Sequence, residues 1–344
     1  MSDSPGTVAV TGASGFLGSW CVAELLARGY RVRAVVRGGV MEPLLRGRLH
    51  AADGSLIVVD ADLNSDSGWA AVLDGCTHVL HVASPCPPEQ PADPDELIVP
   101  ARDGTLRVLA AALDAGVQRV VVTSSGVAVR YATTADGSVA RPYTEQDWTD
   151  PDDSTQTPYT RSKVLAERAA WDFVREREAV QLLTVLVPSA IIGPMLSTRV
   201  SYSHQVLERI LGGMPGLPRF GFCYTDVRDV AAAHVTALET AEAAGERFVI
   251  AGELRWMGEI ADILRRGLDP ESAALVCGVE LSDETVRGLA RDDPGLASVI
   301  TELGRAVHYR TDKARDVLGW SPRPIEQTVL DSARSLLESW RSAR

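Results

Sequence analysis

Apolar residues come in short, nearly unbroken runs along the first 190 positions, and helix-period stretches separate many of them. The runs are TVAVT (7–11), RVRAVVR (31–37), LIVVD (56–60), THVLHVA (77–83), QRVVVTSS (118–125) and QLLTVLVP (181–188). Helical spacing covers 16–28, a segment near 95–115 and PYTRSKVLAERAAWDFVRE (158–176). Runs that lack a polar alternate position mark strands buried on both faces, which is the environment of a parallel sheet. Strand–helix–strand repetition then predicts a right-handed, doubly wound α/β fold. Gly29 stops the first helix, and Gly38-Gly39 opens the loop after the second strand.

The rhythm changes after Pro188. Gly193-Pro194, Gly212-Gly213 and Pro215-Gly216-Leu217-Pro218 predict a loop–helix–loop excursion over 189–221. A helix near 226–241 and the strand RFVIA (247–251) predict a return to the sheet. Residues 253–344 divide into small helices, the last with Ile325, Val329, Leu336, Leu337 and Trp340 on one face. The acidic, proline-rich SPCPPEQPADPDE (84–96) predicts a surface loop near the sheet's ligand edge. No internal repeat, coiled coil or low-complexity tract is present.

Composition narrows the class. A chain of 344 residues, 45% hydrophobic and 23% charged, has enough core for one large domain or two intimate ones. The net charge of −12 argues against a nucleic-acid or anionic-membrane surface, though a local basic pocket can still hold phosphate. Cys21, Cys76, Cys86, Cys223 and Cys277 form no C-x-x-C pair, and read as reduced thiols of a cytoplasmic protein. The first residues, MSDSPGTVAVTG, are acidic and lack the apolar run of a signal peptide, and no stretch is long enough to span a bilayer.

Candidate chemistry starts at the first strand, which runs into G-x-x-G-x-x-G at Gly12, Gly15 and Gly18 and then a helix. Glycines permit a tight turn and close backbone approach, and a helix N-terminus offers N–H groups to a pyrophosphate. At the end of the second strand an acidic residue would bind the adenine ribose of NAD; the residue there is Arg37, preceded by Arg33. A guanidinium suits the 2′-phosphate of NADP, and Arg46 or Arg48 could add a second contact. Asp62 and Leu63 follow the third strand, and Val82, Ala83 and Ser84 end the fourth. Ser125 ends the fifth, where its hydroxyl could bind a carbonyl oxygen; Ser124 competes, because a one-residue shift turns the side chain to the other face.

The most informative pair lies on the helix over 158–176. Only two residues of the chain are lysines, Lys163 and Lys313, and Lys163 follows Tyr159 by four positions. That spacing puts both on one helix face, about 5–6 Å apart. An ammonium beside a phenol stabilises the phenolate, which makes a tyrosine a usable proton donor near neutral pH. His78, His81, His204, His234 and His308 have no metal or triad spacing; His78 and His81 lie on a buried strand and read as core or edge residues.

With these motifs in order, the chain resembles an extended short-chain dehydrogenase/reductase, in the dihydroflavonol-reductase-like branch that includes microbial aldehyde and ketone reductases. The resemblance rests on VTGASGFLGSW, VRAVVR, DGCTHVLHVASP, RDGTLRVLAAALDAGVQRVVVTSS, YTRSK with LAERAAW, VPSAIIGP, DVRDVAAAH and KARDVLGW, from residue 6 almost to the end. It implies a Rossmann-type sheet over 1–188 plus about 222–252, with a smaller, mostly helical substrate lobe over 189–221 and 253–344. It also implies Ser125, Tyr159 and Lys163 as the catalytic set. Implied cofactor contacts are Gly12, Ser14, Gly15, Phe16, Leu17, Gly18, Arg37, Asp62, Leu63, Val82, Ala83, Ser84, Tyr159, Lys163, Pro188, Ser189, Ala190, Ile191 and Ser203.

Departures limit the transfer. Plant flavonoid reductases carry asparagine where Arg130 stands, cinnamoyl-CoA reductases carry N-W-Y-C-Y-G-K where this chain has QTPYTRSK, and sugar-nucleotide dehydratases place acidic residues where Gly126 and Val127 stand. The expectation is an NADPH-dependent reductase of a small or medium aldehyde or ketone, with NADP(H) preferred over NAD(H), no metal, and a monomeric or homodimeric state. A sugar-nucleotide epimerase or dehydratase using NAD, and a non-catalytic NADP-binding regulator, are the alternatives. The second usually loses the tyrosine or lysine that this chain keeps.

Overall fold

The computed structural model describes residues 5–41, 43–85, 91–132, 141–197, 200, 201, 203–293, 296 and 300–342. Seven strands form one all-parallel sheet: β1 Thr7–Thr11, β2 Arg31–Val35, β3 Leu56–Val59, β4 His78–His81, β5 Arg119–Thr123, β6 Leu183–Pro188 and, after two strands that belong elsewhere, β9 Arg247–Ile250. Their order is β3-β2-β1-β4-β5-β6-β9. The chain runs one way from β1 to β3 and restarts beside β1 with β4. The C-terminal edges of β1 and β4 therefore face a switch point, where open α/β sheets bind ligands.

The unbroken apolar runs have the expected cause. Val8, Val10, Leu80 and Val121 pack on one face beneath helices α1 (Phe16–Ala27) and, further along, α7 (Val227–Glu239), while Ala9, Val79, Val120 and Val122 pack on the other. That second face is covered by α4 (Asp95–Asp114) and α5 (Pro158–Glu176). Fully burying a leucine such as Leu80 or Leu109 contributes roughly 1.5–3 kcal/mol, so both faces demand helices. α5 starts where Thr157 accepts the N–H of Thr160 with Pro158 at the first helical position, and it ends at Arg177, before Glu178 at φ 52°.

A second sheet was not anticipated. β7 (Ala190–Ile192) pairs in parallel with β8 (Gly221–Asp226), and β10 (Leu254–Trp256) pairs antiparallel with β8. Two of these strands have three residues each, too few for periodicity to register, and their partners are distant in sequence. Two short helices, α2 (Pro43–Arg48) and α3 (Trp69–Leu73), leave no periodic signal for the same reason. The excursion after Pro188 does hold the expected helix, α6 (His204–Leu211). It packs with α8 (Met257–Gly267) and the C-terminal helix Ile325–Ser342 around Leu207, Ile210, Ile260, Leu264, Val329 and Leu336.

Cys21, Cys76, Cys223 and Cys277 are free thiols, the first three buried, and burial pushes the Cys21 thiol well up. Cys86, with residues 87–90 of the proline-rich loop, lies outside the described residues. No helix among the described residues is long and apolar enough to cross a membrane.

Candidate active site

The glycine turn joins β1 to α1 at the switch point. Gly12 has φ 66°, the Gly15 N–H donates to its carbonyl at 2.8 Å, and no side chain caps the start of α1. A Cβ on Gly12 would stand 3.0 Å from Cα of Ala83, and one on Gly18 would run into the Gly12 carbonyl. Backbone therefore closes on backbone around a helix start whose N–H groups no side chain takes up, a cradle that suits a pyrophosphate. Ser14, Gly15 and Phe16 are partly exposed here. Leu17 has its side chain in the core, so only its backbone is available to a ligand.

Beyond the end of β2 the four arginines separate. Arg37 is exposed just past the end of β2. Arg33 instead donates to the carbonyls of Ala71 (3.3 Å) and Val72 (2.8 Å) at the end of α3, and Arg48 donates to the Met195 carbonyl at 2.8 Å. Arg46 has no described contact at the crevice. The Gly38 N–H donates to Oδ1 of Asp60 at 2.7 Å, which shapes the loop behind Arg37. Asp62 uses Oδ1 to accept the Asn64 N–H at 2.9 Å, and Leu63 packs against Gly104 of α4.

Val82, Ala83 and Ser84 leave β4 partly exposed, and a buried relay fixes them. The Ala83 N–H donates to Thr11 Oγ1 at 3.0 Å, and Thr11 Oγ1 lies 2.9 Å from Nδ1 of His81. His81 Nε2 is 3.3 Å from Thr105 Oγ1, whose hydroxyl donates to the Ala101 carbonyl at 2.8 Å. Every donor is satisfied if neutral His81 carries its proton on Nε2. Burial, aided by the charge of Lys163, lowers its pKa to about 3. His81 is thus a core residue that fixes the backbone where β4 ends.

Tyr159 lies at the second position of α5 with its side chain partly exposed, and Lys163 lies one turn on, 8% exposed. The Lys163 ammonium is 5.8 Å from the centre of the Tyr159 ring. Lys163 also lines a small cavity of about 10 Å³ with His81, Ala83, Ser84, Thr105 and Glu167. Ser125 sits just beyond β5 in extended conformation and opens a tight turn over Gly126–Ala128; its Oγ accepts the Val127 N–H at 3.4 Å. The Ser124 hydroxyl faces the opposite way and donates to buried Glu167. Of the two serines, only Ser125 is partly exposed.

Pro188 is buried at the end of β6, Ser189 donates its N–H to the Ile250 carbonyl at 3.0 Å, and Ala190 and Ile191 are partly exposed on β7. Ser203 sits at the start of α6 without a side-chain cap. The neighbouring His204 carries more: its Nε2 is 2.8 Å from the Gly193 carbonyl, Nδ1 is 2.6 Å from Ser201 Oγ, and its ring meets Phe16 edge-on at 4.6 Å. It pins α6 to the glycine turn, and no spacing in the sequence signals this. Tyr309 likewise has no signal in the sequence. Its hydroxyl lies 3.5 Å from the Gly126 carbonyl, and burial pushes its pKa well up. Arg130 is buried in an ion pair with Glu302 between the rings of Tyr131 and Phe222. Lys313 pairs with Glu246 at 2.6 Å, a structural contact. Among the described residues no group of His, Cys, Asp or Glu could hold a metal ion.

A family model described as the NAD dependent epimerase/dehydratase family matches residues 8–251, which span the seven-stranded sheet from Val8 of β1 through β9. The chain belongs to that family. Within it, this member is of the extended short-chain dehydrogenase/reductase type. It is 36% identical over 337 residues to cinnamoyl-CoA reductase 1 of Petunia hybrida, covering 96% of this chain and 92% of that one. The structure of Gre2 from Candida albicans in complex with NADPH superposes with a TM-score of 0.78 at 27% identity, over 97% of this chain and 99% of that one. Vestitone reductase from alfalfa, Medicago sativa, gives a TM-score of 0.74 at 26% identity, over 97% and 99%. These three reductases are matched along nearly the full length of this chain.

Proposed function

We propose that the protein reduces the carbonyl of a small or medium aldehyde or ketone to an alcohol, using NADPH in preference to NADH. The observation that carries the reading is the Tyr159–Lys163 pair on α5, a helix that packs against the turn Ser125 opens at the end of β5. The glycine turn, the uncapped start of α1 and exposed Arg37 fit the pyrophosphate and 2′-phosphate of NADPH, and the Gre2 complex is a relative with that nucleotide bound.

Bound NADPH supplies the hydride. The protein positions and polarises. The Ser125 hydroxyl donates to the substrate carbonyl oxygen and holds it in place. As negative charge develops on that oxygen, the Tyr159 hydroxyl transfers its proton to it. Lys163 holds the nicotinamide ribose and stabilises the tyrosinate left behind. His81, through Thr11 and Ala83, fixes the backbone where β4 ends.

A spectrophotometric panel of aldehydes, ketones and β-keto esters, run in parallel with NADPH and NADH, tests the reading. Oxidation of NADPH by a subset of the panel, with weaker or no oxidation of NADH, is the expected result. NADPH binding without oxidation by any member of a broad panel would return the chain to the non-catalytic alternative.

A further inference from the structure

Behind the proposed catalytic residues lies a buried ion pair that the hydride chemistry does not use. Glu167 is one turn beyond Lys163 and two beyond Tyr159 on α5, with its side chain 1% exposed; Arg247, the first residue of β9, is 7% exposed. Arg247 Nε donates to Glu167 Oε1 at 2.5 Å, and Nη2 donates to Oε2 at 3.1 Å. Nη1 donates to the carbonyls of Glu145 and Asp147 at 2.8 and 2.9 Å, and the guanidinium covers the Trp148 ring at 3.8 Å. Taking two charges out of water is costly, so such a pair is a weak device for stability alone. Its reach is what sets it apart.

Both flanks of Ser125 end on this pair. On one side the Ser124 hydroxyl donates to Glu167. On the other, the loop held by Arg247 continues to Thr149. The Thr149 N–H donates to the Ala128 carbonyl at 2.8 Å and its hydroxyl to the Val127 carbonyl at 2.6 Å, clamping the turn that follows Ser125. Side chains alternate along a strand, so a Ser124 hydroxyl fastened inward turns Ser125 outward. The fastening point lies on the same rigid helix as Tyr159 and Lys163.

We propose that Glu167, backed by Arg247, is a positioning residue that sets the Ser125 hydroxyl against Tyr159 by way of Ser124. It touches neither substrate nor cofactor. The inference rests on the reductase reading, in which Ser125 holds the carbonyl oxygen. Reaction rates are sensitive to such placement: a misplacement of about 1 Å can cost on the order of 10²-fold.

A double-mutant cycle on the full-length protein tests it. Wild type, Ser124→Ala, Ser125→Ala and the double variant are compared for kcat with NADPH and an active carbonyl from the panel, for NADPH affinity and for melting temperature. Ser124→Ala removes one hydroxyl and leaves Glu167 Oε2 paired with Arg247. The expected result is a fall in kcat of about 10-fold with NADPH affinity unchanged, the size of a sub-ångström displacement. The double variant should be no slower than Ser125→Ala alone, because a hydroxyl that is gone cannot be misplaced.

Wild-type kcat in Ser124→Ala, or losses that multiply in the double variant, would overturn the proposal. Wild-type kcat in Ser125→Ala is a different result: it removes Ser125 from the reductase mechanism and takes the positioning role with it. Glu167→Ala, which leaves the Ser124 hydroxyl no acceptor there, should match Ser124→Ala and add nothing to it where it melts and binds NADPH normally. If it does not fold, the serine cycle decides alone.

Discussion

The ammonium of Lys163 stands 5.8 Å from the centre of the Tyr159 ring, one turn along the same helix and buried while the tyrosine stays partly exposed. The arrangement puts a buried positive charge one helical turn from a partly exposed phenol. Tyr159 is also the second residue of α5, so the positive end of the helix dipole lies under the same ring.

Replacing Tyr159 with phenylalanine removes one hydroxyl from that face. NADPH binding should persist, measured by fluorescence of the nucleotide, while kcat falls by about 10²–10⁴-fold, the usual contribution of a positioned proton donor. Turnover close to wild type would remove Tyr159 from the mechanism.

Arg37 is the arginine at the end of β2 that the described fold leaves exposed, since Arg33 and Arg48 are engaged with backbone carbonyls. Arg37→Ala should raise KM for NADPH by about 10–100-fold, as expected from losing a charge-assisted hydrogen bond of roughly 1.5–3 kcal/mol. KM for NADH should barely change. An equal loss with both nucleotides would place the 2′-phosphate elsewhere.

Gly18 meets the Gly12 carbonyl where a side chain would project. Gly18→Ala has to push backbone against backbone, an overpacking cost of about 1–3 kcal/mol. Both the melting temperature and NADPH affinity should drop. Unchanged affinity would mean that the glycine turn does not form the nucleotide cradle.

Acid should destabilise the fold through its buried neutral histidines. Burial holds His81 at about 3 and His234 at about 4, well below the ordinary histidine value. Below about pH 6.5 the unfolded chain binds protons that the folded chain refuses, so stability falls as pH falls, by about 2 kcal/mol for His81 alone at pH 5. Asp147, held low by Arg141 and Thr144 against the opposing effect of burial, loses its contribution only at more acid pH. Urea unfolding at pH 7 and pH 5 should show the loss, and His81→Gln should show less of it. Equal stability at both pH values would contradict the neutral, buried assignment.

What the sequence determined by itself is local. Unbroken valine-rich runs declare strands buried on two faces, glycine spacing declares a tight turn before a helix, and a four-residue interval sets Lys163 behind Tyr159. Each follows from chain geometry over a few residues. Tertiary structure decided what depends on distant partners. Ser125 and not Ser124 faces outward because Glu167, forty-three residues away, takes the Ser124 hydroxyl. Arg37 and not Arg33 stays exposed because the end of α3 needs a donor. β7, β8 and β10 form a sheet because three short segments meet, and His204 reaches the glycine turn because α6 folds back over it. A buried polar group must find its partner wherever the fold brings one, and no local pattern records where that is.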